Sequence, residues 1–392
     1  MEKADILVAG GGIAGMSAAA RLAADGHRIV LVDPAPEDAP PSDRRTTAYL
    51  QPAISTLDKA GVWDALQSEG TALATMRIID AGGAVREVRE TADFTAEATG
   101  HDVFGWNVPN MPARAALLES LKTAPNVRLC LGTGVSDFVG RSDHAIVRLN
   151  DGSQVKVRLV VAADGRNSTL RDIAGLSVRR WEYGQHAQVL SVTHSAPHDG
   201  VSTEIHRTGG PLTLVPMPDH DQAPCSAVVW MTPSARAMRL KSLSDQEIAA
   251  ELTAETMGLF GPLEVAGPRA TWPIITQYAP RLIARRLVLI AEAAHVMPPI
   301  GAQGLNTSLH DIETLARLIE KQGDPGEQSI LSRYQRKILP RTMARIAGVD
   351  LLNRAALAQA QPLRDLRRVG LTMLSQFGPL KDLATRAGMG VS

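Results

Sequence analysis

Residues 5–33 read DILVAGGGIAGMSAAARLAADGHRIVLVD, and the order of residue types in this stretch sets the fold. Residues 5–9 form a buried strand, residues 13–25 an alanine-rich helix, and residues 28–32 a second strand ending at Asp33. Between the first strand and the helix stands Gly10-Gly11-Gly12-Ile13-Ala14-Gly15, a G-x-G-x-x-G turn. Gly10 permits the tight turn, Gly12 lets the backbone approach a pyrophosphate, and Gly15 allows the helix to pack close to the strand. Exposed amides at the helix start, including those around Ile13 and Ala14, supply partial positive charge for phosphates. Asp33 lies 18 residues beyond Gly15, where a carboxylate can accept from ribose hydroxyls. A glycine turn alone is a weak signal. Set between a strand and a helix, with the acid in place, it indicates a dinucleotide site and leaves FAD and NAD both open.

The rest of the chain has ordinary globular composition: 392 residues, 44% hydrophobic and 21% charged, with zero formal net charge. That length predicts two structural lobes, and the charge balance argues against a polyanionic partner such as nucleic acid. Cys130 and Cys225 lie far apart with no metal or redox spacing, as expected of two free thiols in a reducing compartment. The N-terminal apolar run is too short for an export signal, and no apolar stretch reaches the roughly 18 residues of a membrane span. The expected location is cytoplasmic, or peripheral on the inner face of the membrane.

Residues 76–90 read as two alternating runs joined by Ala81-Gly82-Gly83, and residues 145–149 and 154–161 flank Asn150-Asp151-Gly152. Both predict hairpins. Residues 115–121 are helical in pattern. From residue 186 to 278 the text is mostly β-type, in runs such as VLSVTHS, STEIHR, LTLVPMP, SAVVWM and ATWPIIT. One helix interrupts it, opening at Ser244 with Glu247 placed for a capping box. After residue 285 come a strand (LVLIA), a Pro/Gly loop, a helix from about Asn306, and a helical stretch from residue 349 to the end. The α/β text is interrupted by β-rich text, which predicts an insertion rather than two successive domains.

Two later segments choose the cofactor. Residues 159–171 read LVVAADGRNSTLR, and residues 287–309 read LVLIAEAAHVMPPIGAQGLNTSL. With the N-terminal turn they resemble the three fingerprints of the group A flavoprotein aromatic monooxygenases, the para-hydroxybenzoate hydroxylase type, in order along nearly the whole chain. The resemblance gives Asp164-Gly165, with Arg166, Ser168 and Arg171 downstream, a dual role in binding FAD and NAD(P)H. In the third segment the family's Gly-Asp is replaced by Ala291-Glu292; Glu292 can still accept from a ribityl hydroxyl on a side chain one methylene longer. Pro299, Gly301, Gln303, Gly304, Leu305 and Asn306 match the loop and helix start beside the isoalloxazine ring, where helix amides can stabilise charge on reduced flavin. His295 also matches a family position and is assigned no acid–base role. Asp43-Arg44-Arg45-Thr46-Thr47-Ala48 resembles the segment in which an arginine, here Arg45, reaches the FAD pyrophosphate. Arg114, four residues after Asn110, resembles a second FAD-contacting arginine.

The resemblance implies an α/β fold: a Rossmann-like FAD-binding domain, an inserted β-sheet-rich substrate domain and a C-terminal helical tail. The expected boundaries are 1–75, 107–180 and 279–348 for the FAD-binding domain, 76–106 and 181–278 for the substrate domain, and 349–392 for the C-terminal helices. Within the group, PPIGAQGLN (298–306), GGPLTLVPMP (209–218) and the tail from 362 to 390 are most similar to the ubiquinone-biosynthesis hydroxylases. This implies hydroxylation of a polyprenylated phenol through a flavin C4a-hydroperoxide, with NAD(P)H as reductant and O2 as co-substrate. NAD(P)H then uses the flavin domain transiently, consistent with the single glycine-rich motif. Pro298 and Pro299 are the nearest candidates to shape the substrate pocket. The tail carries Arg354, Arg364, Arg367, Arg368, Lys381 and Arg386 against Asp365 and Asp382, interleaved with Leu366, Val369, Leu371, Leu374, Phe377, Leu380 and Leu383. Such an amphipathic basic helix pair suits a membrane surface or a quinone-synthesis partner as well as packing on its own domain. Two other readings stay open: a flavin monooxygenase for another aromatic or isoprenoid substrate, and a non-catalytic flavoprotein-like subunit.

Overall fold

The computed structural model describes residues 2–38, 43, 45–83, 85–207, 209–320, 323–357 and 360–376. Arg44 and the tail beyond residue 376, with Phe377, Leu380, Lys381, Asp382, Leu383 and Arg386, lie outside the described residues.

Ile6–Ala9 is buried at all four positions because it is an inner strand of a six-stranded sheet. It pairs in parallel with Ile29–Asp33 on one side and with Leu159–Ala162 on the other. Val127–Leu131 and Leu287–Leu289 extend the parallel sheet outward, and Ile283–Ala284 closes one edge antiparallel. Chain connections leave Ile6–Ala9 in both directions, so the crevice beyond its C-terminal end is the topological switch point of the sheet. The glycine turn sits there. Helix Ile13–Ala24 follows it, packing on helices Asn110–Thr123 and Gln303–Ile319.

A nine-stranded sheet forms the second body. Its continuous strands Arg179–His194, Val201–His206, Pro211–His220, Ala223–Pro233 and Ala270–Tyr278 are joined by Thr75–Asp80 and Glu90–Thr95 from far earlier in the chain. Strict alternation gives it two faces. Leu190, Val192, Leu212, Leu214, Val228 and Trp230 form a core under helices Ser234–Ser242 and Asp245–Glu255. The opposite face, with Val189, Ser202, Glu204, Thr213 and Val229, lines a cavity. Gly105–Pro109 pairs instead with Thr46–Leu50 and Thr71–Leu73 in a three-stranded sheet.

Several expected elements are corrected. The arm that pairs with Thr75–Asp80 is Glu90–Thr95, so the first hairpin has a long connection rather than a tight Gly-Gly turn. The Arg89–Asp80 ion pair holds this wider loop's ends together, and Arg77–Asp93 pairs across the strands further back. The run expected over 154–161 is two strands. Gln154–Val157 alternates in burial in a four-stranded sheet, and Leu159–Ala162 is buried throughout in the parallel sheet. A second helix, Ser234–Ser242, precedes the one at Ser244, whose capping box with Glu247 forms as read. The helix expected from about Asn306 starts at Gln303. Position 349 falls inside helix Gln328–Leu357, and Gln361–Gln376 follows as a separate helix. On that last helix Leu371 is buried against Ala92 and Phe94, and Asp365 pairs with Arg89 at 2.7 Å. Among the described residues no helix is long and apolar enough to cross a membrane.

Candidate flavin and substrate site

The glycine turn has the geometry that its residue types require. Gly10 adopts φ +118°, and a Cβ there would overlap the Ala163 carbonyl. A Cβ on Gly15 would overlap the Gly10 carbonyl, so this glycine sets how closely helix and strand approach. Gly12 differs: a Cβ there would meet nothing within 4 Å, because its backbone opens onto a large cavity. The Asp33 carboxylate accepts from the amides of Gly11 and, at 2.8 Å, Ala35, so the acid is held at the mouth of the turn.

One cavity of about 1530 Å³ runs from this turn to the nine-stranded sheet. It brings together most of the residues singled out in the sequence: Gly10, Gly12, Ile13, Ala14, Gly15, Asp33, Arg45, Asp164, Gly165, Glu292, Pro298, Pro299, Gly301, Gln303, Gly304 and Leu305. These come from four separated stretches of chain. Arg114 and Asn306 are not among the lining residues. Asn306 turns its side chain to the backbone, accepting from Leu50 N at 2.9 Å and donating to Ala48 O and Ala302 O at 2.7 Å. It ties the helix start to strand Thr46–Leu50, while Arg114 is half-buried one turn beyond Asn110, which does line the cavity.

Each motif is braced. Asp164 accepts from Ser168 Oγ and from Leu170 N at 3.0 Å, capping the short helix Thr169–Ile173, while Gly165 faces open space at φ +87°. Arg171 donates to the carbonyls of Arg166 at 3.1 Å and Ala293 at 3.2 Å, joining the second motif to the third. Arg166 also meets Glu292 across an ion pair of 3.2 Å. Ala291 has φ +53°, the left-handed region where a glycine is at ease, so replacing the family's glycine stores strain at this corner. Gly301 and Ala302 are left-handed as well, at φ +62° and +54°, turning the Pro298-Pro299 loop into helix Gln303–Ile319. The first amides of that helix lack intrahelical acceptors and present its positive end to the cavity through Gln303, Gly304 and Leu305. His295 is buried in a 3.0 Å pair with Asp311 of the same helix, a fastening contact.

Arg45 lines the cavity, paired with Asp43 at 2.7 Å and lying over the Trp272 ring at 5.8 Å. The Asp43 carboxylate raises the Arg45 pKa against the opposing effect of burial. Among the lining side chains that the sequence reading did not single out are Trp272, Glu204 and His206. The alternation of STEIHR placed Ser202, Glu204 and His206 on one strand face, the usual pattern of a solvated face; here that face meets a cavity.

The residues present fit FAD. Backbone at Gly12, Gly165 and Gly304 opens where a Cβ would meet nothing within 4 Å, and two helix N-termini face the same space. The FAD binding domain family matches residues 3–348. This chain belongs to that family. FAD is its cofactor. It is similar along its length to ubiquinone hydroxylase UbiL of Rhodospirillum rubrum, 33% identical with 99% of this chain and 90% of that protein covered. It is 26% identical to 3-demethoxyubiquinol 3-hydroxylase of Escherichia coli, over 100% of this chain and 99% of that one. Among solved structures, p-nitrophenol 4-monooxygenase PnpA from Pseudomonas putida superposes with a TM-score of 0.78 at 19% identity, covering 99% of this chain and 97% of that one. That likeness shows the shared α/β flavoprotein fold, and with the family match it meets the fold and recognition expected from the motifs.

Proposed function

We propose that this chain is an FAD-dependent monooxygenase that hydroxylates the aromatic ring of a polyprenylated phenol in ubiquinone synthesis, using NAD(P)H and O2. One observation carries the reading: the glycine turn and an apolar sheet wall share a single cavity. Met76, Ile78, Phe94, Val189, Val215 and Val229 give that wall a surface suited to an isoprenoid tail. The names of the full-length relatives support the same substrate class.

Bound FAD, reduced by NAD(P)H, supplies the electrons and the ring on which O2 is activated. The protein's part is positioning and electrostatics. Gly10 to Gly15 and helix Ile13–Ala24 would hold the pyrophosphate, with Asp33 at the adenosine ribose and Arg45 as a cation nearby. Glu292 would accept from the ribityl chain while Arg166 fixes its carboxylate. The helix start at Gln303 to Leu305 would stabilise negative charge on the reduced ring. Pro298 and Pro299, which line the same cavity, would shape the substrate space beside it.

Helix Gln361–Gln376 supports peripheral contact with the membrane that holds such a substrate. Leu366, Val369 and Met373 are 66%, 44% and 54% exposed on its outer side, with Arg368 also exposed. Sedimentation with anionic phospholipid vesicles tests this, and binding that ignores salt and vesicle charge would count against it.

The deciding experiment incubates FAD-loaded protein with NAD(P)H, O2 and a prenylated phenol. A product heavier by one oxygen atom is expected. NAD(P)H oxidation that yields only peroxide with every prenylated phenol, but a hydroxylated product from a soluble aromatic, would replace the substrate class.

A further inference from the structure

Glu204 is 5% exposed on the cavity face of strand Val201–His206, a place where a carboxylate is costly unless it has work and partners. Its cross-strand neighbours are Ile78 on one side and Thr213 on the other, and the row continues through Val229 and Val189. Apart from His295 on the far edge strand, Glu204 and His206 are the only ionisable side chains that the described residues of the nine-stranded sheet give to the cavity wall. His206 Nε2 lies 2.6 Å from Glu204 Oε1. That hydrogen bond fixes the carboxylate's rotamer and offsets part of its desolvation.

We infer that Glu204 is the polar anchor of the substrate: its carboxylate accepts the hydrogen bond of the ring hydroxyl, with His206 as the positioning residue. The inference rests on the phenol reading above and adds the residue that recognises the phenol. The apolar wall takes the tail without setting its depth, since hydrophobic contact is non-directional. A single buried acceptor supplies the missing register. Accepting from the hydroxyl also pushes electron density into the ring, favouring attack by an electrophilic oxygen. A hydrogen bond to a charged group in a water-poor cavity is stronger than a neutral one, and the Thr213 hydroxyl stands directly across the strand pair as a second polar group.

The test uses FAD-loaded protein and two probes with identical tails, 4-heptylphenol and 4-heptylanisole, each titrated while the flavin absorbance is followed. Only the first can donate to Glu204. The native protein is expected to bind the phenol about tenfold or more tighter than the ether, which corresponds to ~1.4 kcal/mol or more. Glu204→Gln should reduce that ratio to about twofold and leave the ether's Kd unchanged. His206→Phe should reduce it while Glu204 is still present, and His206→Gln, which keeps a donor for the carboxylate, should restore most of it. Equal binding of both probes by the native protein overturns the anchor and leaves the phenol reading standing. A Glu204→Gln variant that weakens both probes alike overturns it too, because that is what a structural role produces. If neither probe perturbs the flavin, the phenol reading falls and the anchor falls with it.

Discussion

Replacing Glu313 with Gln tests how helices Ile13–Ala24 and Gln303–Ile319, whose starts face the cavity, are held together further along their lengths. Glu313 lies on helix Gln303–Ile319 and accepts from Arg21 Nε at 2.8 Å, Lys59 Nζ at 2.6 Å and Arg317 Nε at 2.7 Å. Arg21 belongs to helix Ile13–Ala24 and Lys59 to helix Gln51–Lys59, so one carboxylate joins three helices. Burial by itself raises the Glu313 pKa, but the three cations outweigh it and bring it from 4.5 down to about 2. At 1.36 kcal/mol per unit, that difference is worth roughly 3 kcal/mol. A depressed folded-state pKa stabilises fully above the unfolded value, and the contribution fades as pH falls from about 4.5 through about 2. Urea denaturation of FAD-free protein should place Glu313→Gln about 3 kcal/mol below the native chain at pH 7, with the gap roughly halved at pH 3. Removing the charge also leaves the Arg21 guanidinium, 5% exposed, with Asp25 as its remaining carboxylate partner, so FAD should bind several-fold more weakly. A gap below about 1 kcal/mol at pH 7, or one that stays constant down to pH 3, would refute the assignment of this cluster as the clamp.

Other perturbations separate packing from ligand space. Ala291→Gly relieves a left-handed residue worth ~1–2 kcal/mol while adding ~0.5–1 kcal/mol of chain entropy. A rise of about 0.5–1 kcal/mol in unfolding free energy is therefore expected, and a loss would show that the Ala291 methyl packs favourably. Gly12→Val places a side chain in open cavity space, so the FAD-free protein should keep its melting temperature while FAD affinity falls at least tenfold; an equal fall in both would refute the pyrophosphate assignment. Burial pushes the Cys225 thiol up to about 11, so about one molecule in a thousand carries its thiolate at pH 8. Iodoacetamide under those conditions should leave Cys225 unmodified by mass in the folded protein, and rapid labelling would contradict its burial.

Residues 5–33 by themselves determined the dinucleotide-binding core, because strand, glycine turn, helix and acid are local features whose steric and electrostatic demands are written in consecutive residues. The second and third motifs were equally legible, and the fold brings them to the glycine turn in one cavity as their order along the chain implied. Pairing was less legible. Thr75–Asp80 joins Val201–His206 across more than 120 residues, and alternation within a strand does not say which strand lies beside it. Alternation likewise tells which side chains share a face, whereas tertiary structure decides whether that face meets water, a core or a cavity. For Glu204 and His206 it is a cavity; for Leu371 it is the Ala92 and Phe94 surface rather than an open helix face. Asn306 shows the same limit: its place in a motif was readable, but only the fold could turn its amide to Leu50, Ala48 and Ala302, since those partners arrive from 250 residues away or from the turn before. Local chemistry thus determined which residues a flavin site would call for, and only long-range packing decided which other side chains share their cavity.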